Sequence, residues 1–469
     1  MRRKYDVVIV GGGPAGIFAA LELSQVENVK VLILEKGKDI ESRKCPILET
    51  GQPCCSCSLC HVVSGLGGAG AFSDGKLTLS SQVGGHLTEY LGEEYTEELI
   101  CYVDSLYQRF GPVDLVYGTG PETQSWQRKA SLADLRFIPA MIRHLGTENC
   151  RTLLGMIRNH LSNRMDIVVD EEVENILSDG GIAKGVRTKS GHDIKSDYVI
   201  VAPGREGADW LVKEAKQLQL AIHSNPVDVG IRVEVPRIVL DSLTNELYEC
   251  KLEYYSQSFD DRIRTFCMCP GGEVTTENTG GSDPVMSVNG QSYAGWKTNN
   301  TNFALLVSTN FTLPFSEPIA YGKYLARLAN ILSGGIIVQR LGDLEEGRRS
   351  TSERIRRGIV EPTLRNATPG DLSFVLPYRH LTGILEMIHA MDKLVPGIAS
   401  RHTLLYGVEV KFYSCRPKLT NNFETEVANL FAIGDGAGVS RGLVQASASG
   451  IVAAREILKR KGICIPSAS

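Results

Sequence analysis

The sequence predicts an α/β protein in which a single Rossmann-type dinucleotide-binding domain carries an inserted α+β domain with a mostly antiparallel sheet. Three observations predict this fold. A buried strand, a glycine turn and a helix follow one another over residues 7–23. Continuous apolar runs, typical of buried parallel strands, return at residues 198–201 and 430–433. Between these two runs, short strands separated by polar turns indicate an antiparallel sheet with helices.

Composition and charge exclude several function classes. The chain has 469 residues, and hydrophobic cores stop growing at about 250–300 residues, so we expect at least two domains. The net charge of -4 provides no basic field for nucleic acid or an acidic membrane. The apolar run Val7–Val10 is too short for a signal sequence or a membrane span. We therefore expect a cytoplasmic protein with no nucleic-acid or membrane partner.

Changes of pattern along the chain predict its domain boundaries. We expect the dinucleotide-binding domain to comprise residues 1–85, 164–221 and 405–469, a helical insertion to span 86–163, and the second domain to span 222–404. Apolar side chains at three- and four-residue steps predict a helix within the insertion; they are Tyr95, Leu99, Val103, Leu106 and Phe110. Three pairs are interpreted as turns between strands of the second domain: Gly271-Gly272, Gly280-Gly281 and Asn289-Gly290.

The glycine turn has the G-x-G-x-x-G spacing of a dinucleotide site. Gly11 permits a tight turn, Gly13 lets the backbone approach a pyrophosphate, and Gly16 lets helix and strand pack closely. The helix N-terminus offers amide groups and partial positive charge to the phosphates. Glu35, at the end of the next strand, can accept hydrogen bonds from ribose hydroxyls. Because the motif lies between a buried strand and a helix, it indicates a nucleotide site rather than a bare turn.

Two later motifs distinguish FAD from NAD. Ala202-Pro203-Gly204 resembles the strand-end motif of two-dinucleotide-binding flavoproteins, and Gly434-Asp435 resembles their C-terminal G-D motif. By this resemblance, Asp435 would bind the ribityl chain, and the helix from Leu443 would direct its N-terminus at the flavin ring, favouring its anionic reduced form. We therefore expect FAD as the cofactor. The residues assigned to it are Gly11, Gly13, Pro14, Ala15, Gly16, Glu35, Lys36, Val173, Ala202, Gly204, Gly434, Asp435, Leu443 and Val444.

A second G-x-G-x-x-G match, at Gly65, Gly67 and Gly70, is rejected as an NAD site. Only Val62-Val63 precedes it as a strand, and no apolar strand ending in an acid follows it. The sequence therefore predicts a single dinucleotide fold, and any NAD(P)H would bind transiently.

Several stretches together resemble the uncharacterised FAD-dependent dehydrogenases of bacteria and archaea. The stretches that carry the resemblance are Gly67–Leu77, Arg143–Thr147, Cys269–Gly272, Asn289–Ser292, Pro369–Leu372, Gly407–Lys411 and Gly434–Gly442. The resemblance covers nearly the whole chain. It implies a Rossmann-type FAD domain with an inserted substrate domain, and it places the glycine segment from Gly67 near the flavin ring. It assigns no substrate.

The expected activity is that of a dehydrogenase or reductase that acts on a small-molecule substrate by hydride transfer at flavin N5. Catalytic residues are not fixed by the sequence; the candidates are Lys76, His144, Lys411 and Arg441. Three alternatives stay open: a flavin monooxygenase, an iron–sulfur flavoprotein in electron transfer, and a non-catalytic FAD-bound accessory protein. An electron donor or acceptor would be a further partner, and the sequence does not predict the oligomeric state.

Five cysteines crowd into the segment from Cys45 to Cys60. Cys54, Cys57 and Cys60 have C-x2-C-x2-C spacing, and Cys45 could supply a fourth thiolate for tetrahedral ligation. Cys55 is an extra thiol that this pattern does not explain. The spacing is compatible with an iron–sulfur cluster, with zinc, or with thiols that bind no metal.

Overall fold

The structure, a computed structural model, describes residues 4–45, 57–111, 113–223, 225–278, 284–293, 295–309, 317–411 and 416–463. Its strands are β1 Lys4–Val10, β2 Val31–Leu34, β3 Lys76–Leu79, β4 Val116–Tyr117, β5 Arg136–Ile138, β6 Met141–His144, β7 Asp166–Val168, β8 Val173–Asp179, β9 Ile182–Thr188, β10 Asp193–Val201, β11 Ile222–His223, β12 Val227–Pro236, β13 Lys251–Tyr255, β14 Arg262–Cys269, β15 Glu273–Asn278, β16 Met286–Gln291, β17 Asn300–Thr309, β18 Ile337–Arg340, β19 Thr368–Pro369, β20 Leu404–Lys411, β21 Arg416–Pro417 and β22 Leu430–Ala432.

The α-helices of the described residues are α1 Pro14–Leu23, α2 Leu87–Leu91, α3 Glu93–Phe110, α4 Glu122–Leu132, α5 Thr147–Ser162, α6 Ala208–Gln217, α7 Arg237–Leu247, α8 Pro318–Ser333, α9 Leu341–Glu345, α10 Ser352–Arg356, α11 Tyr378–Leu394 and α12 Leu443–Arg460. No helix among these residues is long and apolar enough to cross a membrane.

The chain divides into two compact units. Unit 1 comprises residues 1–114, 144–225 and 413–469, and unit 2 comprises 115–143 and 226–412. Each unit has its own hydrophobic core. The chain therefore leaves the first unit twice, as expected for a domain inserted into another.

Unit 1 is built on a seven-stranded sheet with the order β7-β2-β1-β10-β9-β8, in which β22 also pairs with β10. The pairs β7-β2, β2-β1, β1-β10 and β10-β22 are parallel, and β8 and β9 are antiparallel additions. The residues Val7–Val10 and Val31–Leu34 are all buried, which is the pattern of parallel strands covered on both faces. This is the Rossmann-type arrangement that the sequence predicts.

Helices α1 and α12 cross in close contact beside this sheet. A Cβ atom added at Gly450 would lie 2.1 Å from the carbonyl oxygen of Ala15 and 2.8 Å from the amide nitrogen of Ala19. Both obstacles are backbone atoms of α1, which cannot rotate away. A glycine at this position of α12 therefore lets the two helices approach each other.

Unit 2 contains an eight-stranded sheet with the order β19-β18-β20-β12-β17-β14-β13-β5. Every pairing is antiparallel except β18 with β19. The central strand β17 is buried along almost its whole length. Apolar residues of α7, α8 and α11 join the sheet in one core, so the predicted α+β domain with a mostly antiparallel sheet is confirmed.

The expected boundaries differ from the compact units in three places, of which the smallest is the start of the second domain, at residue 226 instead of 222. Residues 86–163 do not form one helical insertion, because 115–143 join unit 2 and include the short strands β4, β5 and part of β6. The second domain ends after residue 412 instead of 404, because β20 pairs with β12 and β18 in the sheet of unit 2.

The turn predicted at Asn289-Gly290 is wrong, because both residues lie within strand β16. A Cβ atom at Gly290 would lie 2.2 Å from Nη1 of Arg232 and 2.4 Å from Oδ1 of Asn302. The glycine is thus explained by the close approach of these side chains rather than by a turn. Gly271-Gly272 does separate β14 from β15, and Gly280-Gly281 lies outside the described residues.

Replacing Gly450 with Ala is expected to lower the melting temperature of the protein, with a cost of about 1–3 kcal/mol for overpacking. The matched control is Gly155→Ala, since Gly155 also lies inside a helix but has no atom within 4 Å of an added Cβ. Alanine there should be neutral or stabilising, by up to about 1 kcal/mol. Thermal unfolding of both variants would contradict the packing argument if Gly450→Ala melted at or above the parent temperature.

Candidate functional site

The turn between β1 and α1 is closed by backbone contacts at two of its glycines. Gly11 has a φ of 101°, and a Cβ there would lie 2.2 Å from the carbonyl oxygen of Ala202. A Cβ at Gly16 would lie 2.0 Å from the carbonyl oxygen of Gly11. Both positions therefore exclude any side chain, in agreement with the roles that the motif predicts.

The N-terminus of α1 is not capped by the side chain of its N-cap residue. Gly13 is the N-cap residue and supplies no side-chain hydrogen bond, while Pro14 occupies the first helical position. The nearest atom to an added Cβ at Gly13, the Cα of Gly68, is 3.8 Å away. First-turn amides without a side-chain cap, together with the helix dipole, favour an anion such as a pyrophosphate.

Glu35 organises the loops around this helix end. Its buried carboxylate accepts hydrogen bonds from the backbone amides of Gly12 at 2.8 Å, Gly37 at 2.9 Å and Gly65 at 3.0 Å. A carboxylate has about four acceptor sites, so these three bonds leave about one acceptor site of Glu35 unused. The bond to Gly65 joins the motif to a distant segment and is not evident from the sequence.

The second glycine segment packs on the first. The amide of Gly67 donates to the carbonyl of Gly12 at 2.7 Å, and residues Gly68–Phe72 form a 3-10 helix. A Cβ at Gly70 would lie 3.1 Å from Pro14 and 3.2 Å from Leu443. This segment therefore borders the N-termini of both α1 and α12. Because it does not connect a strand to an α-helix, its rejection as a second dinucleotide turn is supported.

Arg43, which the sequence analysis missed, fixes the backbone that leads into this segment. Its fully buried guanidinium donates to the carbonyls of His61 at 2.9 Å, Val62 at 2.9 Å and Leu66 at 2.8 Å. Burial lowers the pKa of Arg43 to about 10, so the side chain stays charged at neutral pH. No local pattern signals this role, because the acceptors are backbone groups about 20 residues away.

The two predicted strand-end motifs meet beside α1. A Cβ at Gly436 would lie 2.4 Å from the carbonyl oxygen of Gly204, so the turn after β10 touches the turn after β22. Asp435 accepts a hydrogen bond from Ser440 at 2.6 Å, and Nε of Arg205 lies 3.8 Å from its carboxylate. The partly exposed carboxylate of Asp435 is thereby held in place by Ser440 and by the nearby guanidinium of Arg205.

The N-terminus of α12 also lacks a side-chain cap. Gly442 is its N-cap, and Val444, the second residue of the helix, is buried. The side-chain amide of Gln445 donates to the carbonyl of Val83 at 3.1 Å, and its oxygen accepts from the amide of Leu87 at 3.3 Å. This helix end is therefore a second anion-favouring position in unit 1, fixed by the segment around residues 83–87.

A histidine that the sequence analysis did not select lies beside Arg441. Burial and then the charge of Arg441 lower the pKa of His86 below its usual value, although Nδ1 lies 2.5 Å from Glu89. The amide of Arg441 donates to the carbonyl of Gly84 at 2.7 Å. His86 and Arg441 are thus candidate polar groups near the start of α12.

Four further residues of unit 1 that the sequence analysis assigned to the cofactor or to catalysis lie in ion pairs or at the ends of strands. Lys36 forms an ion pair with Glu206. Lys76 forms one with Asp74 at 2.8 Å, and both side chains are largely buried. Val173 is buried at the start of β8, and His144 is half-buried at the end of β6. The ion pairs give Lys36 and Lys76 structural partners, so their assignment to the cofactor or to catalysis stays a prediction.

Lys411 lies in unit 2, within a buried network of charges. Its ammonium group lies 3.2 Å from Glu277 and 3.3 Å from Glu409. Glu409 also receives two hydrogen bonds from Arg232, at 2.8 and 3.0 Å, and both of these side chains are fully buried. The charge of Lys411 is therefore balanced by carboxylates within the unit.

The cysteine segment is only partly described. Cys54 and Cys55 lie outside the described residues, whereas Cys45, Cys57 and Cys60 are present as thiols. The sulfur atoms of these three described cysteines do not all lie within 4.8 Å of one another. They do not by themselves form a metal centre, and a site that includes Cys54 stays a prediction.

Three family models match the chain. Residues 226–412 match the model described as FAD-dependent protein, C-terminal domain-like. Residues 5–52, which include β1, α1 and β2, match Pyridine nucleotide-disulphide oxidoreductase, and residues 368–462 match Glucose inhibited division protein A. A protein of Clostridium beijerinckii described as uncharacterized is 26% identical over 481 residues, covering 97% of this chain and 81% of that protein.

Solved structures with a similar chain path are more distant. Glycine oxidase from Geobacillus kaustophilus is 14% identical with a TM-score of 0.42, covering 99% of this chain and 96% of that one. L-amino acid deaminase from Proteus vulgaris is 12% identical with a TM-score of 0.39, covering 100% and 96%.

The family matches agree with the resemblance drawn from the motifs. The chain is an enzyme of the FAD-dependent oxidoreductase class.

Proposed function

We propose that the chain binds one FAD on unit 1 and uses it as a dehydrogenase or reductase for a small-molecule substrate. The observation that carries the proposal is the pair of uncapped helix N-termini, at Gly13 and Gly442, bordered by the same glycine segment. One end suits a pyrophosphate and the other suits the electron-rich end of a reduced flavin.

The residues at the first helix end suit the ADP half of FAD. The amides of α1 would bind the pyrophosphate, for which Gly13 leaves room. Glu35 would use its remaining acceptor site for the adenosine ribose while three backbone amides hold it in place. Val173, which we assign to the same end of the cofactor, lies two residues after Glu171, whose amide donates to the backbone carbonyl of Glu35 at 3.0 Å.

The residues at the second helix end suit the flavin half. Asp435, positioned by Ser440, would accept hydrogen bonds from the ribityl hydroxyls. Leu443 and Val444 begin the helix whose dipole would face the flavin. FAD, when bound, supplies a ring that accepts or delivers a hydride. His86 and Arg441 are proposed as the polar groups of this end that would orient a substrate or hold a proton.

The single dinucleotide fold is common to a dehydrogenase or reductase and to a flavin monooxygenase, so it does not separate these two activities. The two are separated by kinetics, since rapid flavin reduction by NADPH followed by fast reaction with oxygen would identify a monooxygenase. Metal analysis of anaerobically purified protein tests the iron–sulfur alternative. Less than roughly a tenth of an equivalent of metal would remove it.

The purified protein is expected to be yellow and to release FAD, not FMN, on denaturation. Glu35→Ala should weaken FAD binding by about 1–3 kcal/mol, because a buried hydrogen-bond acceptor is lost. Glu172→Ala is the control, since Glu172 lies on the surface of the same unit and pairs only with Lys189 among the described contacts. The measurement is FAD affinity by fluorescence titration of the apoprotein. Recovery of FMN alone from folded protein would refute the assignment.

NAD(P)H is expected to bind the FAD-loaded protein only transiently, because the one dinucleotide fold would be occupied by FAD. Isothermal calorimetry should detect no tight stoichiometric complex with either NADH or NADPH, even if one of them reduces the flavin during stopped-flow mixing. A saturable one-to-one complex of submicromolar affinity would contradict the single-site proposal.

A further inference from the structure

Unit 2 contains a pair of cysteines in contact. The sulfur atoms of Cys267 and Cys269 lie 3.9 Å apart, near the end of strand β14. Both belong to the region matched by the FAD-dependent C-terminal model, at some distance in sequence from the segment Cys45–Cys60. Two thiols in contact form a candidate redox centre that the proposed function does not use.

A β-bulge creates this contact. Phe266 pairs with Ala304 of β17 and Cys269 pairs with Asn302, so β14 carries one extra residue between these pairings. Cys267 takes up the extra residue with a φ of 45°, in the left-handed region that non-glycine residues rarely adopt. Strained backbone of this kind persists where surrounding contacts fix it, and it is frequent at functional sites.

Arg232 is the side chain that fixes the bulge. Its Nη1 donates to the carbonyl oxygen of Cys267 at 3.1 Å and to Oδ1 of Asn302 at 2.7 Å. Cys269 Sγ donates to the same Cys267 carbonyl at 3.5 Å. Glu409 binds the opposite edge of the guanidinium through Nε and Nη2. The Nη1 edge of a permanently charged group is therefore directed at the cysteine pair.

The Arg232 guanidinium attracts negative charge at the cysteine pair. Burial opposes the charge of Arg232, but Glu409 and then Cys267 and Cys269 raise the pKa of the guanidinium above its usual value. The interaction is mutual, so the guanidinium stabilises negative charge on either sulfur. Lys411 also contributes positive charge to this region, and Glu409 and Glu277 oppose it.

The two thiols differ in access. Cys267 is half-buried, whereas Cys269 has no exposed surface. A reagent from solution can therefore reach the first sulfur before the second. This is the asymmetry of an attacking and a resolving cysteine.

We propose that Cys267 and Cys269 form a redox-active dithiol that reduces low-molecular-weight disulfides. The Cys267 thiolate attacks one sulfur of the disulfide, whose S–S bond breaks and releases one thiolate. Cys269 then loses its proton and attacks the Cys267 sulfur, which releases the second thiolate. The protein loses two electrons and two protons, and the small disulfide becomes two thiols. The sulfurs close from 3.9 Å to a bond of about 2.0 Å.

Trypsin cleavage separates the cysteine pair from a control thiol, so the reaction can be followed by mass spectrometry. Trypsin releases residues 265–297 as one peptide whose cysteines are Cys267 and Cys269. The peptide 77–109 contains Cys101, an exposed single thiol that serves as an internal control. The reduced full-length protein is equilibrated with reduced and oxidised glutathione, quenched with acid, alkylated under denaturing conditions, digested and analysed by mass spectrometry.

The expected result is a 265–297 peptide that lacks two hydrogens and carries no alkyl group, while Cys101 carries one glutathionyl group. Tenfold dilution of both glutathione forms at constant ratio should raise the disulfide-to-dithiol ratio about tenfold, because two reduced glutathiones are released for each oxidised one consumed. The glutathionylated fraction of Cys101 should not change, because modification of a single thiol releases one reduced glutathione for each oxidised glutathione consumed.

Two variants identify the order of attack. Cys269→Ser should accumulate a glutathionyl group on Cys267, and Cys267→Ser should leave Cys269 unmodified because that sulfur is buried. Circular dichroism checks that each variant is folded. The measurement on the parent protein tests the proposal even if a variant does not fold. Recovery of both parent thiols in alkylated form, under conditions that modify Cys101, would overturn the proposal. Equal glutathionylation of Cys267 in one variant and of Cys269 in the other would also overturn the proposal.

Discussion

Close contact between backbones at glycine is the constraint on which the organisation of unit 1 depends. Gly11 touches the carbonyl of Ala202, Gly16 touches Gly11, and Gly450 touches Ala15. These contacts join three distant parts of the chain, the turn after β1, the end of β10 and the middle of α12. If any of them carried a side chain, the N-terminus of α1 would move relative to the sheet. The position of the first-turn amides of α1 therefore depends on the absence of side chains at these three glycines.

Buried charge supplies the second level of organisation. Glu35 and Arg43 are both buried and both satisfied by backbone groups, the carboxylate by three amides and the guanidinium by four carbonyls. A buried charge is costly unless its hydrogen bonds are complete. Each side chain therefore fixes the loops that solvate it, and together they fix the glycine segment from Gly65. An ordered loop at this point is what lets one segment border two helix N-termini.

Local patterns predicted the elements well, because each element carries its own periodicity and end signals. Strand Val31–Leu34 has the predicted bounds, and the helix predicted around Tyr95–Phe110 begins only two residues earlier. The roles of Arg43 and His86 were not predictable in this way, since they depend on contacts between residues far apart in sequence. Gly290 was misinterpreted for the same reason: a turn and a close side-chain approach both select glycine, and only the tertiary structure distinguishes them.

Arg232 shows the same principle in unit 2, with a different consequence. A buried ion pair such as Arg232–Glu409 is weak support for stability, because desolvation of both groups opposes their attraction. Its value lies in geometry, since a bidentate carboxylate fixes the plane of the guanidinium and so the direction of Nη1. The direction of Nη1 fixes the position of the Cys267 carbonyl, and through it the shape of the bulge and the separation of the two sulfurs. A hydrophobic pair of similar volume could fill the same space, but it could neither hold the bulge nor place a positive charge beside the thiols. The charged pair at this position is therefore better explained by the chemistry of the cysteines than by the packing of the sheet.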